Sequence, residues 1–150
     1  MKPFFDTPER IARLNAVAQT WLGTPYVQSG AVKGNGASCH RLATSVLIEA
    51  GFPLADVPER GTTKLRGYLD AMRTWLDGHP DGFLQVNLDD LAPGDVLLCD
   101  AGVGHIALYL GGIGASVLQV LRNAPAHCVS LNDSSNRCRV LAGYRPIEKD

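Results

Sequence analysis

Long apolar segments, an excess of charge and closely spaced cysteines are all missing from this sequence. No stretch approaches the roughly 20 apolar residues that a membrane-spanning helix needs. Residues Met1 to Asp6 lack the apolar core of about 7–15 residues of a secretory signal, so we expect a cytoplasmic protein. Lys and Arg number 14 against 15 for Asp and Glu. This balance predicts binding neither to nucleic acid nor to an anionic membrane surface.

The cysteines do not have the spacing of a metal site. There is no CxxC pair, and Cys39-His40 and His127-Cys128 are adjacent pairs, unlike zinc ligands, which are two to four residues apart. We therefore expect no metal. A disulfide framework is also unexpected, although Cys128 and Cys138 are placed so that they could pair across a hairpin, a pairing disfavoured in the cytosol.

The first half of the chain contains three amphipathic segments that predict helices. The first begins at Asp6-Thr7-Pro8-Glu9, with a capping oxygen and an early proline, and ends at Gly23. After a loop from Tyr26 to Ala37, the second is capped by Ser38 and ends at Gly51-Phe52-Pro53. The third runs from Thr62 or Thr63 to Leu76.

Short apolar runs separated by Gly, Pro, Asn and Ser replace the helices after Asp89. They predict an antiparallel meander with strands at Val96–Cys99, His105–Leu110, Val117–Leu121, Cys128–Leu131 and Arg139–Tyr144. Helices followed by strands indicate an α+β protein with its helices packed on one face of the sheet. With 150 residues and no visible linker, residues 1–150 are expected to form one domain.

Two residues have the positions expected of a nucleophile and its base. Cys39 opens the second helix, where the positive end of the helix dipole favours a thiolate. His105 begins a strand after Gly102-Val103-Gly104, a place both accessible and fixed. The alternatives are a buried cysteine that packs as a small hydrophobe and a histidine with a structural partner.

The remaining histidines are weaker candidates. His40 follows Cys39 directly and should point about 100° away from it on a helix. His127 lies beside Cys128, but Pro125-Ala126 indicates a loop at that place. Other catalytic motifs are absent, since the chain has no GxSxG elbow, phosphate loop or dinucleotide fingerprint.

Four segments, in order, carry a resemblance to a known family. Trp21-Leu22-Gly23-Thr24-Pro25-Tyr26-Val27 is similar to the "GTPYxxGG" segment of NlpC/P60 cell-wall peptidases, and Ser38-Cys39-His40-Arg41-Leu42 stands where that family has "DCSGL". Leu91 to Leu98 resembles "LxPGDLLFF", and Gly104 to Gly111 resembles "GHVGIYLG". The segment Val27 to Cys39 looks most like the phage and gene-transfer-agent branch.

The resemblance implies a papain-like NlpC/P60 fold and a triad of Cys39, His105 and a third residue on the next strand. Gln119 falls closest to that third place, where it would fix the histidine tautomer; the alternative is a polar edge residue. Substrate-binding positions would be Tyr26, Ser38 and His40. Ser38 replaces the family's Asp, and His40-Arg41 replaces its Ser-Gly.

The implied function is that of a cysteine hydrolase that cleaves peptidoglycan peptides between D-Glu and a diamino acid, without metal or cofactor. The branch resemblance adds phage tail proteins as partners and a virion- or tail-associated location. Two alternatives stay open. One is a different thiol amidase or acyltransferase on the same fold, and the other is a catalytically inactive structural component of a phage tail.

Overall fold

The computed structural model describes residues 1–54, 56–57, 64–133 and 138–149. Three α-helices occur where they were predicted: α1 (Pro8–Trp21), α2 (Cys39–Glu49) and α3 (Leu65–Asp77). The cap of α1 forms as expected, since the Thr7 side chain accepts a hydrogen bond from the Arg10 N–H at 3.2 Å. The predicted start of the third helix, at Thr62 or Thr63, lies outside the described residues.

The strands of the described segments form one main antiparallel sheet and a small hairpin. The strands are β1 (Lys2–Pro3), β2 (Ala31–Val32), β3 (Gly36–Ala37), β4 (Phe83–Val86), β5 (Val96–Asp100), β6 (Gly104–Gly111), β7 (Ser116–Leu121), β8 (Ala124–Ser130) and β9 (Arg139–Glu148). The main sheet has the order β1-β9-β5-β6-β7-β8, with β4 also paired to β9. Strands β2 and β3 pair with each other.

The predicted α+β class and the antiparallel meander are confirmed, with two differences. Strands β1 to β4 were not predicted; β1 and β4 are short and pair with β9, and β2 and β3 form a hairpin within the expected loop from Tyr26 to Ala37. Strand β8 starts at Ala124, so the expectation of a loop at Pro125-Ala126 is wrong. The proline is tolerated because β8 is an edge strand, where a missing N–H need not break a ladder.

The two faces of the sheet pack differently. The helices cover one face, where buried residues such as Leu98, Leu108 and Leu118 join the helical residues Leu42 and Met72 in one core. The other face carries a smaller apolar cluster of Leu97, Cys99, Ala107 and Val117. Cys99 is therefore part of the sheet core, as predicted. None of the helices in the described ranges is both long and apolar enough to cross a membrane.

The Pro93-Gly94-Asp95 turn has a structural role. Gly94 has φ +95°, and a Cβ there would lie 3.0 Å from Cε2 of Phe5, so glycine is needed on both counts. The fully buried Asp95 accepts hydrogen bonds from the Ala92 N–H at 2.8 Å and from Arg145 Nε and Nη2, both at 3.0 Å. This charge-assisted pair ties the turn before β5 to β9.

The loop that leads into α2 is fixed by backbone hydrogen bonds. The Ala37 N–H donates to the Pro25 carbonyl at 2.9 Å, and the Ser38 N–H donates to the Gly30 carbonyl at 3.1 Å. A Cβ at Gly36 would lie 2.6 Å from the Val27 Cβ, so only glycine allows this approach. The loop thereby sets the position at which α2 begins.

Candidate active site

The Cys39 thiol lies at the N-terminal end of α2, against the sheet. Cys39 is the first residue of the helix and only 8% exposed, so its thiol is largely enclosed. At this position the unpaired N–H groups of the first helical turn and the helix dipole favour a negative charge on sulfur.

The surroundings of Cys39 favour its thiolate form. Burial by itself would raise the pKa of this thiol. A hydrogen bond to His105 and the charge of His105 lower the pKa of the thiol, and hydrogen bonds to His40 and Tyr68 lower it further. The net result is a pKa well below the usual value of a cysteine. An activated nucleophile requires such an environment.

His105 and Gln119 are joined by a short hydrogen bond. His105 Nε2 lies 2.9 Å from Gln119 Oε1, and both side chains are buried. Leu108 of β6 pairs with Leu118 of β7, so the next residue of β7, Gln119, lies opposite Ala107. His105 is two residues from Ala107 and therefore lies diagonal to Gln119 on the same face of the sheet. Because Nε2 donates to the amide oxygen, the other ring nitrogen, Nδ1, is left for the thiol.

Tyr68 is a neighbour of the nucleophile that the sequence analysis missed. Its hydroxyl lies 3.0 Å from Cys39 Sγ. The apolar pattern that predicts this helix consists of Leu65, Leu69, Met72, Trp75 and Leu76, whereas the buried face of α3 is Tyr68, Met72 and Leu76. The four-residue spacing of these three was the available signal. Gly104 makes room for the ring, since a Cβ there would lie 2.6 Å from Cβ and Cγ of Tyr68.

The expected orientation of His40, away from the nucleophile, is wrong. His40 is buried, its Nδ1 lies 3.5 Å from the Tyr68 hydroxyl, and it contributes to the lowered pKa of Cys39. An imidazole is long enough to reach back across the first turn, and Tyr68 bridges the remaining distance. His40 therefore supports the thiol from within the core, and its burial makes direct contact with a substrate difficult.

Ser38 occupies the N-cap position of α2, but its hydroxyl does not act as a cap. The Ser38 side chain makes no capping hydrogen bond, is fully buried and has no hydrogen-bond partner for Oγ. The expected capping role of the hydroxyl is thus wrong, although the Ser38 carbonyl does accept from the Leu42 N–H at 2.8 Å. A ligand cannot reach this oxygen without a rearrangement.

A narrow cleft leads to the thiol. It has a volume of about 50 Å³ and is lined by Tyr26, Cys39, Tyr68, Gly104, His105, Val120, Leu121 and Arg122. The guanidinium carbon of Arg122 lies 5.8 Å from the centre of the Tyr26 ring. None of the described residues that line the cleft carries a carboxylate, so their electrostatic character is neutral to positive. Of the three expected substrate-binding residues, Tyr26 alone lines this cleft.

The other three cysteines have surroundings that disfavour a thiolate. All four cysteines are free thiols, so Cys128 and Cys138 do not form the disulfide that the sequence left open. Burial raises the pKa of Cys99, Cys128 and Cys138. In the described part of the chain no group of three or more His, Cys, Asp or Glu side chains is arranged to hold a metal ion.

Comparison with solved structures identifies the fold. No family model and no curated protein sequence matches the chain. The NlpC/P60 domain of the peptidoglycan hydrolase SagA superposes with a TM-score of 0.59 at 18% identity, covering 89% of this chain and 96% of that domain. An NLP/P60 family protein of Staphylococcus aureus, described as similar to a lipoprotein, gives 0.64 at 20% identity, covering 98% of this chain.

A third similar structure is an NlpC/P60 family protein of Bacillus cereus, with a TM-score of 0.60 at 19% identity and 89% of this chain covered. The chain spans 44% and 39% of the lengths of the Staphylococcus and Bacillus proteins. The fold is therefore the papain-like fold of NlpC/P60 domains, as the sequence motifs predicted.

Proposed function

We propose that residues 1–150 form a single catalytic domain of the NlpC/P60 family, a cysteine hydrolase that cleaves amide bonds in peptidoglycan peptides. The observation that carries the proposal is that Cys39 and His105 line the same cleft, where His105 lowers the pKa of the thiol, and that His105 Nε2 lies 2.9 Å from Gln119 Oε1. A nucleophile, a base and a group that orients the base form the minimal machinery of covalent acyl transfer. That one of the similar structures is a peptidoglycan hydrolase supports the choice of substrate.

The reaction begins with attack of the Cys39 thiolate on the amide carbonyl carbon, while the proton of the thiol resides on His105. The tetrahedral oxyanion is held by the backbone N–H of Cys39 at the start of α2. As the C–N bond breaks, His105 gives its proton to the leaving amine, and a thioester to sulfur remains. Water, deprotonated by His105, then attacks the thioester and releases the carboxylic acid and the thiol.

Tyr68 adds a hydroxyl donor at the sulfur. In the resting state its O–H donates to the thiolate across the 3.0 Å contact. When the sulfur loses its charge on attack, this donor becomes available to the neighbouring oxyanion. Gln119 keeps the Nε2–H of His105 engaged throughout, so Nδ1 of His105 remains aimed at the reacting atoms.

The substrate proposed is a short peptide cut between D-Glu and a diamino acid. The described lining of the cleft offers no carboxylate to an ammonium group, and Ser38, which replaces the family's Asp, is buried without a ligand-facing oxygen. A charge-assisted hydrogen bond to a shielded amine contributes about 1.5–3 kcal/mol. We therefore expect the preference for a free amino terminus to be about tenfold or more below what a carboxylate would give.

The phage and tail-protein assignment rests on the segment Val27 to Cys39, which forms the loop and the β2–β3 hairpin before α2. We propose phage tail proteins as partners on that ground. Antibody detection of the chain in purified, nuclease-treated phage particles tests this assignment. Absence of the chain from particles that contain the other tail proteins would contradict it.

Hydrolysis is tested with L-Ala-γ-D-Glu-diaminopimelate and mass spectrometry of the products. We expect release of diaminopimelate by the wild type and a loss of about a thousandfold or more in Cys39→Ala and His105→Ala. Cys128→Ala, which removes an exposed thiol, is the matched control and should retain full activity. Peptide ligation without hydrolysis would favour an acyltransferase, and an inert, unreactive Cys39 would favour a structural tail component.

A further inference from the structure

His127 extends the hydrogen-bonded series beyond the proposed triad. It stands opposite Gln119 in the pairing of β7 with β8, and its Nε2 lies 3.3 Å from Gln119 Nε2. Its other ring nitrogen, Nδ1, lies 2.7 Å from the Pro125 carbonyl oxygen. A carbonyl only accepts hydrogen bonds, so Nδ1 of His127 must carry the hydrogen. In the neutral ring, Nε2 is then an acceptor.

This tautomer fixes which way the Gln119 amide faces. The amide nitrogen donates to His127 Nε2, and the amide oxygen therefore faces His105. The thiol of Cys138 lies 3.6 Å from the same oxygen, and burial raises its pKa, so it remains a protonated donor. One acceptor next to the amide nitrogen and two donors next to the amide oxygen allow a single amide orientation.

The orientation matters because it determines the tautomer of His105. With the amide oxygen facing it, neutral His105 carries its hydrogen on Nε2 and presents the lone pair of Nδ1 to the thiol. If the amide were reversed, the Gln119 NH₂ group would donate to Nε2 of His105, and that nitrogen would have to carry a lone pair. The hydrogen would then lie on Nδ1, and neutral His105 could not accept the proton of Cys39.

We propose that His127 is a positioning residue that holds the Gln119 amide in the orientation that makes His105 a base toward Cys39. This inference rests on the proposed triad and assigns a role in it to a fourth side chain. His127 does not line the cleft, so it acts through Gln119 and not on the substrate.

The role of His127 is tested by the rate at which iodoacetamide labels Cys39 at neutral pH in a set of variants. His127→Leu has no acceptor and should label about threefold to tenfold more slowly, the effect of losing one orienting hydrogen bond. His127→Gln restores an acceptor oxygen and should recover to within about twofold. His79→Leu, a histidine that contacts Asp56 and not the site, is the matched control and should match wild type.

The result with His105→Ala separates a failure of the proposed triad from a failure of the proposed role of His127. If His105→Ala leaves labelling unchanged, the triad itself fails. If His105→Ala slows labelling but His127→Leu does not, only the role of His127 is overturned. A melting temperature is measured for each variant to establish folding.

Discussion

Removal of the Tyr68 hydroxyl is the sharpest test of how the Cys39 thiolate is stabilised. In Tyr68→Phe the ring that fills the space beside Gly104 remains, and the donor 3.0 Å from Cys39 Sγ is lost. A hydrogen bond to a charged group contributes about 1.5–3 kcal/mol. Since about 1.4 kcal/mol is a factor of ten, the thiolate fraction below the pKa of Cys39 should fall by about tenfold or more.

The assay is the pseudo-first-order rate of iodoacetamide labelling at Cys39 as a function of pH, followed by mass spectrometry of the Cys39 peptide, and the variants are compared on the acid side of the profile, below the pKa of Cys39. Tyr144→Phe is the matched control. It removes the hydroxyl of another buried tyrosine, which donates to Asp77 at 2.9 Å, away from the thiol. Equal labelling rates in Tyr68→Phe and wild type would refute the view that this hydroxyl stabilises the thiolate.

Three further predictions follow from the site. The Cys39 thiolate persists above the lowered pKa of Cys39 and is lost as pH falls through that pKa. Iodoacetamide should therefore label Cys39 alone near pH 6, and Cys128 should follow only above its raised pKa. Simultaneous labelling of the two thiols would contradict this. Gly104→Ala forces a Cβ against Tyr68 and should cost about 1–3 kcal/mol in urea unfolding, whereas Gly114→Ala, with open space around it, should change stability by less than about 0.5 kcal/mol. Ser38→Ala removes an unpartnered buried hydroxyl, so the free energy of unfolding should stay equal or rise by about 1 kcal/mol; a clear loss would show a hidden partner.

The elements that position the site were predictable because their signals are local. The cap at Thr7, the glycine at the end of α1 and the apolar run of β6 each depend on a few adjacent residues. The placement of Cys39 at a helix start is of the same kind, since Ser38 marks the boundary. Local signals of this type are independent of how the elements pack.

The contacts that tune the site were not predictable because they are made between elements. Tyr68 reaches Cys39 from α3; the four-residue spacing of Tyr68 and Met72 marks a shared helix face, but it does not say which side chain that face contacts on α2. The start of β8 looked like a loop because Pro125 is unfavourable in a strand, and the edge position of β8 only appears in the sheet order. The register of β6 with β7 shifts between Tyr109 and Gly111, so counting residues across the hairpin cannot place Gln119.

The order of the strands has a consequence for biosynthesis. Strand β9, the last in the described chain, lies inside the sheet between β5 and the short strands β1 and β4. The sheet that carries His105 and Gln119 is thus left with an open edge at β5 until the ribosome has released residues up to Glu148. Non-local pairing of this kind forms late in folding. The thiol of a nascent chain that stops before β9 would therefore remain an ordinary cysteine, and reactivity would emerge only with the completed sheet.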